Sequence, residues 1–344
     1  MHARSLLAAA AMLVLCCGQA AARDLSVVVR PPPGQEAVEK VFLQPFTAAT
    51  GIAVQASAWE GGLDTLRAQV KAADNTWDLV LVDADELTTG CSENLFEKLD
   101  WSAIGGKDHY LPLAVSDCGV GASVASTVLA WDRDKFPATP AWSDFWDVAK
   151  YPGKRGLHHG VRGNLEFALM ADGVAPGDVY KVLGTSEGVD RAFRKLDQLR
   201  PYIVWWQDDA EAAHILATGD VLMTSASAPS ITVVNRNEHR NFGLQWTAGL
   251  YEVQSWVVLK GSPNIRTAVQ LLYFMGTPAI QGRLVLVSGD GGLAKGANEW
   301  PNPDVAQISP STPANLNAGV RIDSGFWRDN QAKLRQRFES WLTH

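Results

Sequence analysis

The chain is 344 residues long and 47% hydrophobic, enough to bury a large core and more naturally two domains than one. Its formal net charge of −7 makes nucleic acid a poor partner, and nothing in the composition argues for disorder.

Met1 to Ala22 has Arg4 at its start, an apolar core from Leu6 to Cys17, and Ala20-Ala21-Ala22 before the polar Arg23-Asp24. That is the pattern of a secretory signal peptide, so the mature protein is expected to be soluble and exported. A membrane anchor needs a longer span, about 18 consecutive apolar residues, and no other segment approaches it. Lipidation requires a small residue before the acylated cysteine, whereas Cys16 follows Leu15 and Cys17 follows Cys16. The two remaining cysteines, Cys91 and Cys118, are an even pair in an oxidising compartment and predict one disulfide. Zinc would want further ligands at tight spacing, and the nearest histidine, His109, is isolated.

Leu25 to Val29 reads as a strand stopped at Arg30 by Pro31-Pro32-Pro33. Gln35 to Thr47 has helical apolar spacing and Gly51 to Ala58 is a second strand, which makes a βαβ unit. Leu63 to Ala73 follows as an amphipathic helix and Asp78 to Val82 as a buried parallel strand. Ligands in open α/β sheets bind outside the carboxyl ends of strands, which puts Arg30, Trp59, Asp83 and Asp85 on one rim.

Asp117 to Trp131 is a β-rich run outside any strand-helix-strand unit, and so is Tyr251 to Lys260. They read as two crossovers between two lobes with a cleft between. Lobe 1 then comprises residues 23–129 with 254–304, and lobe 2 comprises 130–253 with 305–344.

In the second lobe, Trp142-Ser143-Asp144 starts a capped helix, Tyr151 to Gly156 reads as a surface turn, and Leu157-His158 is a short strand. The loop His159 to Gly163 feeds a helix over Asn164 to Ala171, whose first amides lack partners and suit an anion. Gly188 to Leu199 and Ala210 to Thr218 read as helices, with strands at Ile203 to Trp206 and Val221 to Thr224. Trp206 and Ser227 then lie at strand ends facing the cleft, although Trp205 and Trp206 alternate in direction and one of them must be core. Arg266 to Met275 and Ile280 to Leu286 are helices, Val287 to Gly296 is a glycine-rich loop carrying Asp290, and Trp327 to Trp341 is a helix packing on a lobe.

Enzymatic readings are weaker. Gly184-Thr185-Ser186-Glu187-Gly188 matches G-x-S-x-G, but a helix precedes it where a nucleophile elbow needs a strand, so Thr185 or Ser186 is better read as a helix cap. His158-His159 has no third ligand at useful spacing, and Asp83-Ala84-Asp85 lacks the glycine and later acid of a calcium loop. No metal or cofactor is expected.

The chain resembles the periplasmic solute-binding proteins of ABC importers, in the spermidine/putrescine-type branch. The resemblance rests on Pro45 to Val70, Trp77 to Leu87, Trp142 to Leu157 and Trp256 to Asn264, and spans essentially the whole mature chain. It implies a two-lobed α/β periplasmic-binding-protein fold, each lobe a mixed sheet flanked by helices. The implied partners are a small solute and a membrane permease, with the protein a periplasmic monomer. Polyamine binders of this type carry acids in the second-lobe loop and on the return strand, where this chain has Gly160-Val161-Arg162-Gly163 and Gln254; Ser227 stands where an aromatic residue is common.

Two ligand chemistries follow. Asp83, Asp85 and Glu252, with the tryptophan faces of Trp59 and Trp206, would hold an amine such as putrescine or spermidine, which is the leading expectation. Glu166 is expected on a solvated helix face. Arg30 and Arg162 would instead suit a carboxylate or phosphonate, giving a zwitterionic or anionic solute as the second expectation. An exported hydrolase is the alternative of a different class.

Overall fold

The computed structural model describes residues 23–32, 34–72, 75–299 and 308–343; the expected signal peptide and its cysteines lie outside them. In the first lobe, β1 (Leu25–Val29), β2 (Val54–Ala58) and β3 (Leu79–Val82) run parallel, with β1 in the middle. β1 and β3 are β-branched and leucine runs packed on both faces, as parallel strands under helices require. One face meets Phe42, Phe46, Leu271 and Leu272; the other meets Trp59, Leu66 and Leu95.

Two long strands carry the chain between lobes. β4 (Val120–Asp132) is 13 residues long, and its partner β8 is 17 residues long (Phe242–Val258). The end of β8 pairs with β3, Val82 opposite Ser255, while the second half of β4 pairs with β7 (Met223–Ser227), Thr127 opposite Ser227. β7 borders β5 (Arg155–His158), and β5 borders β6 (Ile203–Trp206), both in parallel. The result is one continuous mixed sheet in the order β2-β1-β3-β8-β4-β7-β5-β6, with β9 (Val320–Arg321) added beside β8. Val124 belongs to the first-lobe core and Leu129 to a second one around Trp142, Phe167, Leu196 and Phe338. The pairing slips by a β-bulge between these positions, at Thr127 to Leu129, which bends the ribbon where it changes core.

The sequence reading matches most elements to within a few residues and is corrected at three. Arg155 is not on a surface turn but fully buried at the head of β5, its guanidinium donating to the carbonyls of Phe145 (2.6 Å), Tyr151 (2.6 Å) and Gly153 (2.8 Å). Burial lowers its pKa to about 10. The expected helix over Ile280 to Leu286 is two short ones, Pro278–Gln281 and Leu284–Val287. A third passage between lobes also exists: Ser309 and Ser311 bond Asn298 in the first lobe, and β9 then leads into the helix Ser324–Thr343 on the second. That helix buries Trp327, Leu334 and Phe338, the stripe its spacing predicts.

Thr185 caps the helix Ser186–Asp197 by accepting from Gly188 N (3.0 Å), so the G-x-S-x-G segment is a helix start. A disulfide joins Cys91 to Cys118 across a Cα–Cα distance of 6.0 Å, tying the helix Ala84–Ser92 to the approach to β4. Among the described residues, no helix is long and apolar enough to cross a membrane.

Candidate ligand-binding cleft

The carboxyl ends of β3 and β7 come from opposite lobes and meet the same stretch of the β4–β8 ribbon. Asp83 follows Val82, which faces Ser255; Ser227 faces Thr127. Between them, Gln254 lies opposite Ser123 and Glu252 opposite Ala125, two residues apart and therefore on one face.

Around Asp83 the charges neutralise one another. Arg30 Nη2 donates to Asp83 Oδ2 (2.7 Å) and Glu86 Oε2 (2.8 Å), and its guanidinium stacks 4.9 Å from the Trp59 ring centre. Trp59 is buried beneath it, with Nε1 donating to the Leu81 carbonyl (3.2 Å). The turn above is tight: Gly61 has φ +95°, and a Cβ there would sit 2.3 Å from Arg30 Nη1. Glu86, which the sequence reading passed over, also accepts from the Gly62 amide (2.6 Å) and the Asp83 amide (2.9 Å). Gln254 Nε2 donates to the second Asp83 oxygen (3.2 Å). Asp85, half-buried on the first turn of the next helix, has no ion pair among the described residues.

The second lobe reaches this cluster through Arg162, whose Nη2 donates to Glu252 Oε2 (2.6 Å). Burial opposes the Arg162 charge, but Glu252, Glu166 and Asp83 overcome it and hold the guanidinium pKa above its ordinary value. Burial raises the pKa of Glu252, with Asp83 and Asp85 adding to the shift and Arg162 opposing it. Glu166 is fully buried, contrary to the expected solvated face. Its Oε2 accepts from Gly163 N (2.9 Å), and its Oε1 from Tyr180 Oη (2.9 Å) and Trp327 Nε1 (2.7 Å). It thereby fastens the loop that carries Arg162 to the C-terminal helix.

Farther along the ribbon the acids are differently placed. The Asp290 loop is stitched to β4 by Val124 N to Gly291 O (2.9 Å) and Gly291 N to Val124 O (3.0 Å). Asp290 accepts from Ser288 Oγ (3.0 Å). Burial, aided by the charge of Asp209, raises its pKa to about 7. Asp209 opens the helix Asp209–Ala217 of the other lobe and faces the Ser227 hydroxyl, which also caps the helix Ala228–Asn237. Nothing in the sequence separates Asp209 from an ordinary acid at a helix start. Trp206 is 5% exposed and packs on His158 at 4.8 Å between ring centres, while Trp205 turns to Phe338 and Trp341. Both tryptophans are therefore packed in the second lobe, on opposite faces of the sheet.

Residues 42–311 match the family of bacterial extracellular solute-binding proteins. The chain belongs to that family. A gamma-aminobutyric acid (GABA)-binding protein of Pseudomonas aeruginosa is 37% identical over 341 residues, covering 99% of this chain and 97% of the relative. Among solved structures, an ABC transporter substrate-binding protein of Bradyrhizobium japonicum is 31% identical with a TM-score of 0.79, covering 93% of this chain and 99% of its own. A GABA receptor is 27% identical with a TM-score of 0.80 over 93% of this chain and 98% of its own. A spermidine/putrescine-binding protein of Streptococcus pneumoniae, 17% identical with a TM-score of 0.71 over 93% of this chain and all of its own, shares the fold alone. The family consists of binding proteins, and this extracellular solute-binding protein is not an enzyme.

Proposed function

We propose that this chain is the exported receptor of an ABC importer and that its solute is a zwitterionic amino acid with separated amine and carboxylate, for which GABA is the test case. The observation that carries this reading is the Arg162–Glu252 pair, which joins a second-lobe loop to the inter-lobe ribbon beside Arg30 and Asp83. A solute carboxylate replaces Glu252 on Arg162, and the released acid joins the others in facing an ammonium group. A diamine has no group to offer Arg162 and leaves two guanidinium groups in competition with it, which disfavours putrescine. The GABA-binding relative at 37% identity supports the same choice. In this reading the lobes divide at residues 129/130 and 253/254, on the ribbon that carries the cleft, the third division at 304/305 lies outside the described residues, and residues 1–22 are removed on export to the periplasm. The permease partner follows from the ABC substrate-binding relative.

A thermal-shift screen of diamines, ω-amino acids and dicarboxylates tests this. A solute at a hundredfold excess over its Kd adds about 2.7 kcal/mol of apparent stability. The expected outcome is a shift with GABA and none with putrescine; a shift with putrescine alone contradicts the reading.

A further inference from the structure

The β4–β8 ribbon and the segment leading into β9 carry the chain between the lobes, so a contact that joins the lobes elsewhere has to break for a solute to enter. One such contact lies where the helix Ala228–Asn237 meets residues 286–289. Ile231 of that helix belongs to a second-lobe core with Trp206 and Phe242, whereas Leu284, just before the other partner, belongs to the first-lobe core.

The first half of the contact is an approach of backbone to backbone. Gly289 packs against Pro229 so closely that an added Cβ would meet Pro229 Cα at 2.3 Å and Pro229 Cβ at 2.8 Å, which no real side chain tolerates. Both partners are held firmly. The Gly289 amide donates to Leu284 O (3.3 Å), and two residues on Gly291 exchanges a pair of backbone hydrogen bonds with Val124 in the first-lobe core. Pro229 sits in the first turn of its helix, flanked by fully buried Ala228 and Ile231, and that start is fixed by Ser227 Oγ accepting from Ser230 N (3.3 Å). With neither side free to retreat, a methyl group at position 289 pushes the lobes apart.

The second half lies seven residues along the helix. Positions 229 and 236 share one helix face, about 10 Å apart at 1.5 Å per residue, and the Arg236 guanidinium donates to the Leu286 carbonyl. That carbonyl belongs to the last turn of the helix Leu284–Val287, where helical partners run out. Two points of contact this far apart fix the angle between the lobes as well as their separation.

We infer that Arg236 and Gly289 form the latch of the closed cleft: Arg236 is a positioning residue that holds the lobes together, and position 289 must lack a side chain for the lobes to meet. The latch favours the closed form over the open one whatever the solute, so it slows release and leaves entry alone. The inference rests on the solute-binding function and not on the choice of GABA.

Stopped-flow kinetics with GABA is the first arm of the test. Arg236→Ala should release GABA about three- to tenfold faster, the scale of one net hydrogen bond, with the association rate unchanged and Arg236→Lys restoring most of the loss. Gly289→Ala should weaken binding about tenfold or more, the scale of an overpacked contact. Gly296→Ala is the control: its φ of +84° imposes the same backbone strain as the +81° of Gly289, but an added Cβ there meets only Pro278 Cβ, at 3.9 Å, within its own lobe. It should bind as the wild type does. Release at the wild-type rate from Arg236→Ala, or equal losses in the two glycine variants, overturns the inference.

The second arm needs no solute. In a variant carrying Arg236→Cys and Leu286→Cys, a short bis-maleimide should join the two positions whenever the lobes meet. Adding Gly289→Ala should slow this cross-linking several-fold and adding Gly296→Ala should not; equal rates in the three backgrounds overturn the inference. Failure of GABA to bind the wild type at all defeats the solute assignment alone and leaves the cross-linking arm to decide the latch.

Discussion

The two ends of the cleft solve the same electrostatic problem in opposite ways. Around Asp83, every acid except Asp85 has a guanidinium or amide partner, and a disulfide fastens the helix that follows. Toward Asp290, the carboxyls of Asp290 and Asp209 have the hydroxyls of Ser288 and Ser227 as partners and no ion pair among the described residues, and burial with the charge of Asp209 raises the Asp290 pKa to about 7. The neutralised end can stay rigid whether or not solute is present, because its charges are already satisfied. The other end carries acids without a countercharge among the described residues, so its charge changes with pH where that of the first end does not.

Removing the guanidinium at the neutralised end should have the largest effect. Arg162→Ala takes away the carboxylate anchor and strands Glu252, so GABA affinity measured by calorimetry should fall by about 3 kcal/mol, or more than a hundredfold. Arg162 is partly exposed, so the melting temperature should move little. Unchanged affinity would place the carboxylate elsewhere.

The disulfide comes next. Its partners are separated by 27 residues in sequence, and reduction should cost about 2–4 kcal/mol of unfolding free energy in a denaturant titration, through the greater freedom of the unfolded chain. The loss should appear first as faster amide exchange in Ala84–Ser92 and should spare the Asp290 loop. Exchange that quickens equally in both regions would erase the contrast between the two ends.

A smaller effect is expected at Asp290. Its folded pKa of about 7 lies above the ordinary aspartate value, so the stability it contributes is fully present below about pH 4 and lost as pH rises through 7. Between pH 5 and 8 the wild type should lose on the order of 1 kcal/mol, and Asp290→Asn should remove that slope. An unaltered slope would show that the carboxyl is not held as described. Asp85→Asn, which breaks no ion pair, should change stability by less than about 0.5 kcal/mol.

What the sequence made legible follows the same division. β1, β3 and the two crossovers announce themselves as apolar runs, and the Cys91–Cys118 pair follows from compartment and count, because each signal is local or compositional. Arg30, Asp83 and Arg162 stand out because strand ends and helix-opening loops are readable in sequence. Glu166 was misread because its environment is non-local: it is satisfied by Tyr180 and by Trp327, 161 residues away. Arg155 was misread for a similar reason, since four backbone carbonyls of its own surroundings form a cage that composition does not reveal. Asp209 gave no signal because its significance comes only from Asp290 on the other lobe. The 304/305 division of the lobes implies a third passage, but its strand could not be read because β9 is two residues long.

The central claim is that this cleft requires both charges on one solute. Calorimetric titration of the wild-type protein with GABA, putrescine and succinate at pH 7 and low ionic strength tests it most directly. The three are short chains carrying, respectively, one charge of each sign, two positive charges and two negative charges. The account predicts stoichiometric heat with GABA and affinities at least a hundredfold weaker for both others, since each leaves one kind of cleft charge unpaired. Putrescine binding as tightly as GABA would contradict it.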